Sequence, residues 1–246
     1  SYSILGNRGW SLRSSRNRNC SVSFKYLHHN VCDTEITGMN DIISPDRPRK
    51  ILQVVGGMNR GGVETWLMHV LRHIDRENYK IDFLVHTEQP CAYDDEIRSL
   101  GSNIYPCLHP ANPFRYAYNF KRIVSCHGPY DVIHSHVHHF SGFVLRIAFR
   151  TSVPNRIAHS HNDLSSTHKN LPWSRRLYIS YMQLWIQKYA TIGLACSRLA
   201  ACNLFGDRWE SDPRCRVLHC GIDLKPFEEF VDRKLVRDEL GIPSDA

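Results

Sequence analysis

Two stretches of this chain gather side chains that could do chemistry. "YDVIHSHVHH" places His134, His136, His138 and His139 within six residues, and "RIAHSH" adds His159 and His161. Histidine titrates near neutral pH, so such a cluster suits proton transfer, hydrogen bonding to a substrate hydroxyl, or metal ligation. A further stretch, "GGMNRGG" from Gly56 to Gly62, carries four glycines in seven residues and follows the apolar run "KILQVV". Glycine lets a ligand approach the backbone closely and tolerates positive φ. A helix starting just after the loop would offer free N–H groups to an anion.

Spacing tests these readings. A phosphate loop of the G-x-x-x-x-G-K-[ST] type needs lysine and a hydroxyl residue after its last glycine. Gly56 and Gly61 have that separation, but Gly62 and Val63 occupy the two diagnostic positions. The dinucleotide fingerprint G-x-G-x-x-G also fails, because the glycines are paired. Glu88, 26 residues past Gly62 at the end of the second expected strand, keeps a dehydrogenase in view. "HSHVHH" departs from the H-x-H-x-D-H of metallo-hydrolases at His138, where an aspartate would hold a second metal. No acidic second ligand set accompanies it, so no metal is expected. A ligand-free glycine turn and histidines packed as ordinary polar residues are the bland alternatives. For His134, inside a strand, the packed reading is preferred.

The elements that must position these residues alternate. Strands are expected at 50–55, 79–87, 103–107, 130–136, 155–161, 191–197 and 215–223. Helices are expected at 63–74, 93–101, 112–128, 140–150 and 172–190, with another from Arg198. Asn112 and Pro113 supply a cap and first-turn residue for one helix, and Gly101 a stop for another. Strands separated by helices of this length pair in parallel through right-handed crossovers. The expected fold is therefore α/β, a doubly wound, mostly parallel, Rossmann-like sheet. Ligands bind such sheets at the carboxyl ends of the strands, where the glycine loop and both histidine clusters fall. Residues i and i+2 of a strand share a face, so the two clusters could meet there.

Bulk properties narrow the class. Of the formal charge of +7, residues 1–50 carry +4, so the remainder lacks the basic face of a nucleic-acid binder. No run of about 18 apolar residues occurs. Nine cysteines without a C-x-x-C pair read as reduced thiols of a cytoplasmic protein. Residues 1–46 form an irregular, basic, Ser/Arg-rich extension whose composition approaches a transit peptide. Residues 47–223 form the Rossmann-like domain, and 224–246 a charged linker.

Taken in order, "ILQVVGGMNRGGVETWLMHVL", "YDVIHSHVHHFSG", "RIAHSHN", "ACSRLAACNLFG" and "VLHCGIDLKPF" resemble the N-terminal half of the retaining GT-B glycosyltransferases of family four. "RIAHSHN" is most similar to the branch that builds exopolysaccharides and capsules. The resemblance covers Lys50 to Phe227. It implies the acceptor-side domain of an enzyme whose other half holds a nucleotide sugar. That half, with its basic diphosphate clamp and E-x7-E pair, is expected to follow about where these residues end. Carried across, Gly61 and Gly62 match the loop facing the donor diphosphate, and His136 the histidine beside the transferred sugar. His161 and Asn162 match the acceptor-lining position. Cys220 stands where the family has the asparagine of an "NGID" turn. No cofactor is implied beyond the nucleotide sugar, which is a co-substrate. The implied partners are a saccharide or lipid-linked acceptor and a separate C-terminal-domain chain. The implied location is the cytoplasm or the inner face of the membrane. A non-catalytic binding module or split-enzyme subunit remains the alternative, with a His-rich metallo-hydrolase behind it.

Overall fold

The computed structural model describes residues 47–162, 171–225, 228 and 231–243. The extension 1–46 and most of the 162–172 loop lie outside the described residues. The elements run β1 Arg49–Val55, α1 Gly62–His73, β2 Tyr79–Val85, α2 Asp94–Ser99, β3 Ile104–Pro106, α3 Pro113–His127 and β4 Val132–Ser135. They continue α4 Ser141–Arg150, β5 Asn155–Ser160, α5 Trp173–Tyr189, β6 Ile192–Ala195, α6 Arg198–Phe205, β7 Cys215–Val217 and α7 Arg233–Glu239. The seven strands pair in the order β3-β2-β1-β4-β5-β6-β7, all parallel.

Alternation along β1 explains how the sheet buries both faces. Leu52 and Val54 join the larger core under α3, α4, α5 and α6. Ile51 and Val55 join the smaller core under α1 and α2. Gln53 shares the α1 side by the same alternation, and it is only 4% exposed. A glutamine in that position needs a polar partner, which the site supplies.

Caps follow the sequence closely. The Asn112 side chain accepts from the Arg115 amide at 3.1 Å, with Pro113 in the first turn of α3. Ser197 caps α6 through the Ala200 amide. Two expectations are corrected. The last strand, expected over 215–223, stops at Val217, because after the Leu218 amide bonds Ala195 the sheet edge is left behind. The helix expected from residue 140 is preceded by a 3-10 turn over His138–Phe140. The charged tail contains α7, capped by Asp232.

Away from the ligand edge, Asp82 is a buried anchor. It accepts from Tyr130 Oη at 2.9 Å and from the Asn103 amide and Nδ2 at 3.0 and 2.9 Å. Lys50 Nζ completes the set at 3.1 Å. Four donors around one carboxylate tie β1, β2, β3 and β4 together at their starts. This carboxylate is structural, and chemistry has to be sought at the opposite end.

Candidate functional site

The strand order reverses between β1 and β4, so their carboxyl ends part and leave a crevice. The glycine loop leaves β1 at this point. Its first half is pinned. Gly56 O accepts from the His86 amide at 3.0 Å, and Met58, with no exposed surface, accepts from the Tyr93 amide at 3.0 Å. Asn59 Oδ1 accepts from the Ala92 amide at 3.1 Å. The second half is open. Gly61 is the N-cap of α1, no side chain caps the helix, and the first helical bond runs from Thr65 N to Gly61 O at 2.9 Å. The amides of Gly62, Val63 and Glu64 therefore precede the helical ladder. A Cβ added to Gly62 would meet nothing within 4 Å, so the backbone is bare on that side.

The loop corrects one expectation. Among the described glycines, positive φ occurs at Gly101, Gly206 and Gly241, none of them in this loop. Gly61 instead gives room to the Glu64 carboxylate, which lies over it. Close approach, rather than backbone handedness, is what glycine provides here.

Both histidine clusters meet on the α1 side of the sheet. Gln53, His134 and Ile157 stand in register across β1, β4 and β5, and two residues on come His136 and His159. His134 Nε2 and His159 Nδ1 face each other at 3.2 Å. His136 Nε2 lies 2.8 Å from Gln53 Oε1, and His136 Nδ1 lies 2.8 Å from His161 Nε2. The Gln53 carbonyl oxygen has no proton to give, so His136 donates through Nε2. Its Nδ1 then accepts from His161 Nε2–H. His161 Nδ1 is left as an acceptor, with Cys220 Sγ at 4.0 Å. Trp66 of α1 covers the group, 5.3 Å from the His159 ring and 5.7 Å from that of His161.

Burial keeps these imidazoles uncharged. It pushes His134 down to about 3 and His161 to about 4. His136 and His159 move the same way, first through burial and then through neighbouring imidazoles. At neutral pH the cluster offers hydrogen bonds rather than positive charge. Arg60 is the one cation of the glycine loop, and it is exposed.

The structure thus joins two of the expected residues and divides one motif. His136 and His161 are bonded to each other, and Gly61 and Gly62 open α1, whose Trp66 lies against both rings. His134, expected to be a packed polar residue, is buried, and its partner is a histidine. His138, with φ of 49°, turns the chain away, and it pairs with His139 through their Nδ1 atoms at 2.8 Å. Asn162 is exposed, and its carbonyl lies 3.5 Å from Ser160 Oγ. Gln53 and Trp66 were missed in sequence. A lone glutamine inside an apolar strand was the available signal for the first, and nothing local marked the second.

The sequence model of Glycosyltransferase Family 4 matches residues 60–226. The chain belongs to that family. The EpsF protein of Bacillus subtilis (strain 168), named as a glycosyltransferase, is 36% identical over 202 residues, which is 78% of this chain and 52% of EpsF. The capsular polysaccharide biosynthesis glycosyltransferase CapH of Staphylococcus aureus is 28% identical over 110 residues, covering 45% of this chain and 30% of CapH. The chain therefore spans about half of EpsF and less of CapH. Anabaena HepE, solved with UDP and glucose, shares the fold with a TM-score of 0.58 at 16% identity, over 78% of this chain and 50% of HepE. The family match includes the open half of the glycine loop, both histidine clusters and Cys220.

Proposed function

We propose that these residues form the acceptor-side domain of a retaining glycosyltransferase, which moves a sugar from a nucleotide-sugar donor to a saccharide or lipid-linked acceptor. One observation carries the reading: α1 begins at the sheet's switch point with no side-chain cap and with Gly62 uncovered, the Glu64 carboxylate lying over Gly61, and its Trp66 lies against His136 and His161. Uncapped amides there suit the donor diphosphate. The acceptor hydroxyl attacks the anomeric carbon on the face the diphosphate leaves, and backbone amides take up the leaving-group charge. His136 is neutral and holds both its bonds, so it serves as a hydrogen-bond partner and a sugar hydroxyl replaces one of them. Asn162, at the mouth, lines the acceptor side with His161. No metal cofactor has a role in this step.

The experiment is transfer from a panel of UDP-sugars by a fusion of these residues to a family nucleotide-sugar domain, beside the 246-residue chain alone. The fusion is expected to turn over, and His136→Ala to lower its kcat/KM by about 100-fold with folding unchanged. The 246-residue chain alone is expected to bind donor weakly and not to turn over. Transfer by the short chain, or an active His136→Ala protein, would contradict the assignment.

The second half of the reading concerns where the acceptor is met. No helix of the described residues is long and apolar enough to cross a membrane. Yet α5 exposes Trp173, Leu177, Tyr181 and Leu184, each more than half exposed, at helical spacing along one stripe. Arg175, Arg176 and Lys188 lie on the same helix, which contains no acid. A basic helix with an aromatic stripe suits an anionic bilayer surface and would bring a lipid-linked acceptor to the crevice. Flotation with phosphatidylglycerol vesicles is expected, and the double variant Trp173→Ala, Leu177→Ala should lose it. Equal recovery with pure phosphatidylcholine vesicles would refute an electrostatic contribution.

A further inference from the structure

The histidine cluster holds more donor nitrogens than the transfer reaction uses. His134, His136 and His159 each offer one nitrogen such that all three lie within 4.8 Å of one another. We infer that this group is a binding site for a divalent transition-metal ion of the zinc type, distinct in role from the sugar-transfer chemistry.

Three observations support it. The His134 Nε2 and His159 Nδ1 atoms are 3.2 Å apart. Two nitrogens bound at about 2.0–2.1 Å to a tetrahedral zinc stand roughly 3.3 Å apart, so this pair already has the spacing of a chelate. Second, His159 has no exposed surface and bonds within the cluster through Nδ1, its Nε2 having no hydrogen-bond partner, so Nδ1 is the nitrogen it offers to the group. Third, His136 is set up as a ligand. Gln53 Oε1 holds its Nε2–H at 2.8 Å, which leaves Nδ1 as the nitrogen with the lone pair. A carbonyl behind the distal N–H is the usual support of a metal-bound histidine.

All three ligands are imidazoles, a donor set that suits zinc, copper or nickel over magnesium or calcium. Trp66 closes the inner side, 5.3 Å from the His159 ring and 6.3 Å from that of His136. His136 and His161 are only half-buried, and they form the mouth through which an ion enters. His161 Nε2, now 2.8 Å from His136 Nδ1, or a water, supplies the fourth ligand once the ion takes that nitrogen. His138 and His139 bond each other and stay outside the set. No carboxylate belongs to this group, so the ion lacks the second-metal partner of a hydrolase. Its consequence is inhibitory. An ion on His136 removes that side chain from the sugar, a corollary that rests on the proposed function, whereas the binding itself does not.

The test is direct binding to the 246-residue chain, with no donor or acceptor present, so it stands or falls apart from the transfer reading. Titration of chelator-treated protein with Zn2+ is expected to give one ion per chain, and Co2+ to give the visible bands of four-coordinate geometry. His159→Gln and His134→Gln should each weaken binding by about 100-fold or more, since even losing a partner behind a ligand costs about 10- to 100-fold. His73→Gln, on an exposed position of α1, should leave it unchanged. X-ray absorption of the zinc-loaded wild type should show at least three imidazole nitrogens at about 2.0–2.1 Å. That measurement decides the matter if a cluster variant fails to fold. Several weak ions per chain, an oxygen-rich shell, or full binding by folded His159→Gln would overturn the site.

Discussion

Gly142→Ala is expected to destabilise the chain by about 3 kcal/mol, as a urea unfolding midpoint would register. Gly142 is buried in the first turn of α4, where it faces α5. A Cβ there would overlap the Met182 carbonyl oxygen and lie 3.1 Å from its carbon and 3.2 Å from its Cα. These are backbone atoms, so no side-chain rotation relieves the clash and the two helices must separate. Alanine is the better helix former by about 1 kcal/mol. That gain is smaller than the cost of opening a packed helix pair, so the net sign is destabilising. The helices also carry Phe143 and Trp185, whose rings are 5.9 Å apart, and Arg146 over Trp185 at 4.2 Å. Separation loosens both contacts. An alanine variant as stable as the wild type would mean that α4 and α5 do not approach this closely.

Acid is expected to unfold the chain early. Burial lowers His86 to about 4 and His134 to about 3, against about 6.5 in the unfolded chain. The folded state therefore binds fewer protons below pH 6.5. Stability is full above that pH and is lost as pH falls toward the folded values. Each such histidine removes up to about 1.4 kcal/mol per pH unit. These two alone remove about 6 kcal/mol by pH 4, against a typical total of about 5–15 kcal/mol. His136, His159 and His161 add to the loss in the same direction. The window from pH 6.5 to 5 lies above ordinary carboxylate titration, so the histidine contribution is separable. Urea unfolding at pH 7.5, 6 and 5, with chelator present, should show a steep decline. A flat profile would show that the imidazoles are solvated.

The same residues show how much of the site was legible in the sequence. Alternating apolar runs and helical periodicity placed the seven strands, because each strand must bury two faces and each helix one. The glycine loop and the last histidine of each cluster fell at strand ends, and the carboxyl edge of a parallel sheet is where ligands bind. Gly61, Gly62, His136 and His161 follow from those two facts together with a family resemblance. The 3-10 turn at His138 was not legible, since a single left-handed residue leaves no periodic signal. The early end of β7 was not legible either, because apolar residues past Val217 look strand-like until the neighbouring strand stops.

By itself, then, the sequence determined the fold class, the loop and the edge at which the histidines lie. Those are properties of local pattern and of how parallel sheets are wound. Only the tertiary structure decided which histidines touch. His136 is 25 residues from His161 and 83 from Gln53, and the register of β1, β4 and β5 brings all three within hydrogen-bond distance. The protonation of the cluster was decided there too. Neutral imidazoles result from burial beneath Trp66, and burial is a property of packing that no single stretch of sequence carries.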